Sequence, residues 1–202
     1  MQIDTFTGGV FDTNCFFVPG ANVLIDAPQD TADWLRASGH RVELLVLTHG
    51  HIDHVWDAAR IQREHGCRVA FHPLTQPMIT ERDFFLKLGF QWEIEPVTGG
   101  EIIDEAPALE LQGIDFHVLH VPGHCPGSLC LLWKATRVLF GGDVLFAGGV
   151  GRWDLPGGDR DLLFGGIRTK LFPLGDDVKV LPGHGPATTL GRERTTNPFL
   201  QD

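Results

Sequence analysis

The sequence contains no tyrosine and only four cysteines and two methionines among 202 residues. The missing phenol removes one class of proton donor from any catalytic site. The cysteines (Cys15, Cys67, Cys125 and Cys130) are scattered and form no C-x-x-C, which reads as reduced thiols and not as a disulfide framework or zinc knuckle. No Lys or Arg precedes Arg36, so neither the basic start of a signal peptide nor an Arg-rich presequence is found, and a cytoplasmic location is expected. The longest apolar runs, Leu44 to Leu47 and Leu129 to Trp133, fall far short of the roughly 18 residues of a spanning helix, so no membrane span is expected. Positive charge is scarce: the formal net charge of −10 repels phosphate backbones and anionic lipid, which argues against nucleic acid or a membrane as partner. With 43% hydrophobic and 21% charged residues, disorder is excluded as the main state, and one domain over residues 1–202 is expected to bury a full core.

What is abundant is glycine (25), proline (13) and histidine (10). Ile3 to Phe6, Cys15 to Val18 and Val23 to Ile25 read as short strands joined by Gly8-Gly9 and Pro19-Gly20-Ala21-Asn22 turns. Thr31 to Ser38 reads as a helix closed by Gly39, and Val42 to Leu47 as a buried strand. A helix is expected to start at Asp53 or His54 and run to about His65; Arg68 to Phe71 is another strand, and Leu74 to Leu88 a helix between Pro73 and Gly89. Beyond it the texture is strand-rich: Leu109 to Leu111, Phe116 to Val121, Ser128 to Trp133, Val138 to Phe140 and Val178 to Leu181, with Asp161 to Leu171 as the last clear helix. Strands and helices alternate in two similar halves, so an α/β fold of two sheets with helices outside is expected.

The segment Thr48-His49-Gly50-His51-Ile52-Asp53-His54 places four potential metal ligands within six residues. Period-two spacing at a strand end aims His49 and His51 alike, while Asp53 and His54 turn as the helix begins. Imidazole suits zinc or iron, and carboxylates offset the charge of closely spaced dications. Three more apolar runs end in a glycine-framed ligand type: Val121-Pro122-Gly123-His124, Phe140-Gly141-Gly142-Asp143 and Leu181-Pro182-Gly183-His184-Gly185. Glycine beside a ligand lets the backbone turn sharply and approach closely.

In these seven positions (His49, His51, Asp53, His54, His124, Asp143 and His184) the sequence resembles the metallo-β-lactamase superfamily, whose fold is a four-layered αββα sandwich. The resemblance implies that His49, His51 and His124 bind one metal, Asp53, His54 and His184 a second, and that Asp143 bridges them. Gly151-Arg152-Trp153-Asp154-Leu155-Pro156-Gly157-Gly158-Asp159 and Thr196-Asn197-Pro198-Phe199 are similar to glyoxalase II, the hydroxyacylglutathione hydrolases, in a short form without their helical C-terminal domain. This implies two divalent ions, zinc first with iron or manganese as alternatives, and hydrolysis of small thioesters such as S-lactoylglutathione by a hydroxide held between them. Asp53 and Asp143 are the implied catalytic carboxylates, and Arg152 is the implied substrate contact. Asp143 stands where zinc β-lactamases carry cysteine, which points away from penicillin-type substrates.

A thiol of pKa about 8.5 leaves as thiolate without much acid assistance, so the lack of tyrosine is tolerable for thioesters. It counts against lactone hydrolysis, where the alkoxide leaving group benefits from a proton donor. A persulfide dioxygenase, which the sequence also resembles and which would use one iron held by His49 or its partner His124 together with Asp143, is the alternative reading, followed by a nuclease or a non-catalytic metal binder. His40, His65, His72, His117 and His120 read as surface or hydrogen-bonded residues, Cys125 as a buried thiol, and Arg192-Glu193-Arg194 as a solvated face.

Overall fold

The computed structural model describes residues 2–201. The chain forms two compact units, the first ending at Ile103 and the second beginning at Asp104. The division falls between two strands, with no Gly/Pro-rich linker to mark it in the sequence.

The first unit is built on the strands β1 (Asp4–Gly8), β2 (Thr13–Val18), β3 (Val23–Ile25), β4 (Leu44–Val46), β5 (Arg68–Phe71) and β6 (Glu101–Ile102), which pair in that order. β1, β2 and β3 form an antiparallel meander, and from β3 onward the pairing is parallel. Parallel neighbours need crossovers, and helices supply them: α1 (Thr31–Ser38), α2 (Ile52–Val55) with α3 (Ala58–His65), and α4 (Gln76–Thr80) with α5 (Phe84–Lys87). β1 alternates half-buried and exposed residues as an edge strand should, whereas β2, β3 and β4 are buried throughout. Gly39 and Gly66, both left-handed, close α1 and α3. Leu24, Leu45, Val69 and Phe71 of the sheet pack with Leu35 of α1 and Ile61 of α3 in one core.

Two helices expected from the sequence are interrupted, each because a distant backbone group takes a carbonyl that the helix needed. The expected run to His65 breaks at Trp56 and Asp57: the amide of Ala27 donates to the carbonyl of His54 (2.8 Å), and the amide of Asp57 to the carbonyl of Ala27 (2.9 Å). The run from Leu74 breaks after Thr80, where Ile94 and Val97 donate to the carbonyls of Arg82 and Ile79.

The second unit carries β7 (Ala106–Leu111), β8 (Ile114–His120), β9 (Leu129–Trp133), β10 (Val138–Gly142), the hairpin β11 (Leu145–Phe146) and β12 (Gly149–Val150), β13 (Lys179–Pro182) and β14 (Thr188–Thr189). Its main sheet runs β14-β13-β10-β9-β8-β7. β7 to β10 are antiparallel neighbours, and β10 pairs parallel with β13. The expected helix from Asp161 becomes α6 (Arg160–Gly166), continued by a π-helical turn over Ile167–Leu171, with Leu163, Ile167 and Leu171 buried against Leu139 and Val180 of the sheet. Asp159 caps it, its side chain accepting from the amide of Leu162.

A last helix, α7 (Leu190–Thr196), corrects the reading of Arg192-Glu193-Arg194 as a solvated face. Arg192 and Arg194 are exposed, but Glu193 is 0% exposed and accepts from the amide of Gly148, the hydroxyl of Thr188 and the side-chain amide of Asn197. Its carboxylate is tolerated because each donor reaches it from a different element. The four cysteines are buried and unbridged, and burial pushes the thiols of Cys15 and Cys130 up to about 12 and that of Cys67 to about 11. Among the described residues no helix is long and apolar enough to cross a membrane.

Candidate metal centre

In the first unit the candidate ligands lie just past the C-terminal end of β4, His49 and His51 on the loop into α2 and Asp53 and His54 within α2 itself. The carboxyl ends of parallel strands are where α/β sheets leave backbone uncommitted and gather functional side chains. The ring centroids of His49 lie 4.8 Å from His51 and 4.2 Å from His54, and Asp53 Oδ2 lies 3.5 Å from His54 Nε2. All four residues are therefore gathered at one place. His49 and His54 are 0% exposed, while His51 and Asp53 are partly open.

Asp26, just past the end of β3, organises this cluster and escaped the sequence reading. Its carboxylate, 2% exposed, accepts from the amide of Thr48 (2.8 Å), from Thr48 Oγ1 (2.7 Å) and from His54 Nδ1 (2.8 Å). Because the Thr48 hydroxyl spends its proton on Asp26, its oxygen is the acceptor for His49 Nδ1, 3.1 Å away. Both histidines thus carry their proton on Nδ1 and present Nε2 as the basic nitrogen, the tautomer that metal-ligating imidazoles adopt when a carboxylate or carbonyl takes the other nitrogen. Thr13, at the start of β2, donates to Asp53 Oδ2 (2.8 Å) and orients that side chain. Asp26 has φ 60°, a left-handed conformation that carboxamide and carboxylate residues adopt more readily than others. The available signal was its position: like the other ligand types, it follows immediately on an apolar strand.

In the second unit β8, β10 and β13 run in the same direction, so the residues after their ends emerge at one edge of the sheet. These residues are His124, Asp143 and His184. Asp143 Oδ2 lies 3.5 Å from His124 Nε2 and 3.3 Å from His184 Nε2, which sets the carboxylate between two imidazoles. His124 Nδ1 donates to the backbone carbonyl of Arg152 (2.8 Å), so it too presents Nε2.

Arg152 therefore touches the centre through its main chain. Its guanidinium holds Asp154 with two bonds of 2.8 Å, which pushes the arginine up from its ordinary pKa and pulls Asp154 down to about 2. The glycine framing seen in the sequence has a steric basis here. A Cβ on Gly123, which has φ 126°, would lie 2.4 Å from the amide nitrogen of Leu163, and one on Gly151 would lie 2.0 Å from the carbonyl of Asp143. Asn197 ties α7 to the β11–β12 hairpin by donating to the carbonyl of Gly149 (3.0 Å), a structural role for that motif.

The donor set fits divalent metal ions. Two ligand atoms about 2.0–2.1 Å from a tetrahedral zinc stand roughly 3.3–3.4 Å apart. The imidazole-to-carboxylate separations of 3.3 to 3.5 Å in both clusters have this spacing, and are longer than ordinary charge-assisted hydrogen bonds.

Comparison with known proteins agrees. The metallo-β-lactamase superfamily model matches residues 8–184, a span reaching from β1 to the last candidate ligand. The hydroxyacylglutathione hydrolase GloC of Haemophilus influenzae is 35% identical over 99% of this chain and 98% of its own length. Among solved structures, BLEG-1, a B3 metallo-β-lactamase, matches with a TM-score of 0.90 at 29% identity, covering 100% of both chains. A second protein, crystallised in a di-iron-bound form, matches at 0.85 and 35% identity over 98% of this chain and 100% of its own. The α/β fold of the αββα class expected from the sequence is borne out by these matches, and the chain belongs to the metallo-β-lactamase superfamily.

Proposed function

We propose that this protein is a single-domain binuclear zinc hydrolase of small thioesters. The observation that carries the reading is Asp143 held between His124 and His184 at 3.5 and 3.3 Å, the placement a bridging carboxylate requires. The likeness to a hydroxyacylglutathione hydrolase over nearly the whole chain supports the substrate class.

In this reading His49, His51 and His124 would hold one ion and Asp53, His54 and His184 the other, with Asp143 as a shared ligand. When bound, the ions lower the pKa of water toward neutrality and polarise the carbonyl of the substrate. The remaining work falls to the chain. Asp26 and Thr48 fix the Nδ1 protons of His54 and His49, so no tautomer change is needed during turnover. Asp53, oriented by Thr13, is positioned to take a proton from the attacking water. No residue need protonate the leaving group, because a thiolate departs unaided at neutral pH, in keeping with the absence of tyrosine. The substrate contact expected of Arg152 belongs to this proposal. Its guanidinium is paired with Asp154, so an anionic thiol moiety would have to displace that carboxylate.

The test is to quantify metal in the purified protein and assay a thioester panel that includes S-lactoylglutathione, with nitrocefin as a β-lactam arm. His54→Ala and Asp143→Ala are each expected to lose metal and thioester hydrolysis together while the far-ultraviolet circular dichroism is retained. Full activity in either variant overturns the assignment. One iron per chain with oxygen uptake on glutathione persulfide would replace it by the dioxygenase reading.

A further inference from the structure

The first unit also carries a cavity of about 140 Å³ that shares only Asp53 with the candidate ligand set. Val10 and Phe11 line it from the tip of the β1–β2 hairpin, Trp56 from the break after α2, and Trp92 from the segment before β6, with Gln29 and Asp53 completing the wall. Val10 is 82%, Phe11 47% and Trp56 37% exposed. Single exposed apolar side chains are ordinary, but three converging with a further tryptophan on one concavity mark a surface kept apolar for contact. The wall is also ordered: Phe11 meets Trp92 edge to face at 5.9 Å, and Trp92 stacks on Phe90 at 5.7 Å.

The occupant is constrained by three features. No lining residue is cationic, which disfavours the carboxylates of a glutathione moiety or any phosphate at this spot. The volume is close to the roughly 150 Å³ of an apolar cavity known to accept benzene. Asp53, a proposed ligand, forms part of the wall, so a group seated here would lie beside the reacting carbonyl.

We propose that this cavity is an acyl subsite selecting thioesters of ring-sized or branched apolar acids over small polar ones such as lactoyl. The inference rests on the thioesterase reading and narrows its substrate class. A hydrophobic pocket discriminates by roughly tenfold or more per additional buried methylene, so the preference should be large.

The test uses metal-loaded protein and two independent measurements. The first compares kcat/KM for phenylacetyl, isovaleryl, lactoyl and acetyl thioesters of one thiol, N-acetylcysteamine, so that only the acyl group varies. The phenylacetyl ester is expected to exceed the lactoyl ester by about tenfold or more, and Trp92→Ala and Trp56→Ala each to shrink that ratio several-fold. The second titrates phenylacetamide, neutral and unreactive, and follows tryptophan fluorescence, expecting saturable quenching that Trp92→Ala weakens. Hydrolysis without apolar preference, together with no quenching, overturns the subsite and leaves thioester hydrolysis standing. Quenching without turnover of any thioester keeps the apolar pocket and overturns the thioesterase reading.

Discussion

Asp26 makes no expected contact with metal, yet its removal should be felt both in stability and in metal affinity. Replacing it by alanine withdraws the acceptor of three hydrogen bonds, all within the interior. The Thr48 oxygen keeps the bond it accepts from His49 Nδ1, but the Thr48 hydroxyl proton, the Thr48 amide and His54 Nδ1 lose their partner, at about 1–3 kcal/mol for each buried group left without a substitute. Alanine must also hold the left-handed backbone at φ 60°, adding about 1 kcal/mol. Asp26→Ala should therefore lose about 3–5 kcal/mol of unfolding free energy in urea titrations. Asp26→Gly, free of the backbone strain, should recover about 1 kcal/mol of that loss. Metal affinity, measured by competition with a chromophoric chelator, should fall roughly 10–100-fold in both variants, because His54 loses the group that fixes its tautomer and ring. A stability loss below 1 kcal/mol with metal affinity within twofold of the parent would refute the argument.

Other consequences follow from the same kind of reasoning. Glu193→Ala strands the buried donors of Thr188 and Asn197 and should cost about 2–3 kcal/mol, read as a lower melting temperature, with Glu193→Gln losing less. Gly123→Ala forces a side chain against the Leu163 amide at an unfavourable φ and should cost about 3 kcal/mol, lowering the melting temperature by roughly 5–10 °C. Burial pushes the carboxyl of Asp57 up from the ordinary aspartate range, with the Ala32 amide pulling part of the way back. The folded state then binds this proton more tightly than the unfolded chain, so unfolding free energy falls as pH rises from the ordinary aspartate pKa to the raised one. Asp57→Asn should flatten that part of the stability profile, measured by denaturant titration between pH 3 and about 7. An unchanged profile would show that Asp57 is not the group responsible.

Much of this protein was legible in its residue order. β3 and β5 and the helix α1 lie where hydrophobic periodicity and the closing Gly39 put them, since short apolar runs between turn residues have few other solutions. The helices failed where carbonyls of His54, Ile79 and Arg82 are claimed by amides of other loops, a competition no local pattern records. Glu193 was misjudged for a related reason: its neighbours Arg192 and Arg194 are exposed, and only the fold brings Gly148, Thr188 and Asn197 to it.

The identity of the donors is a property of the sequence, because imidazoles and carboxylates at strand ends announce themselves by spacing and by flanking glycine. How each donor presents itself is a tertiary matter. The proton on Nδ1 of His54 is fixed by Asp26 and that of His124 by the carbonyl of Arg152, each partner 28 residues away along the chain. Hydrogen bonds of that reach exist only once strands from separate segments lie side by side, so sequence could name the candidate ligands but the packed sheets determine which ring nitrogen each presents.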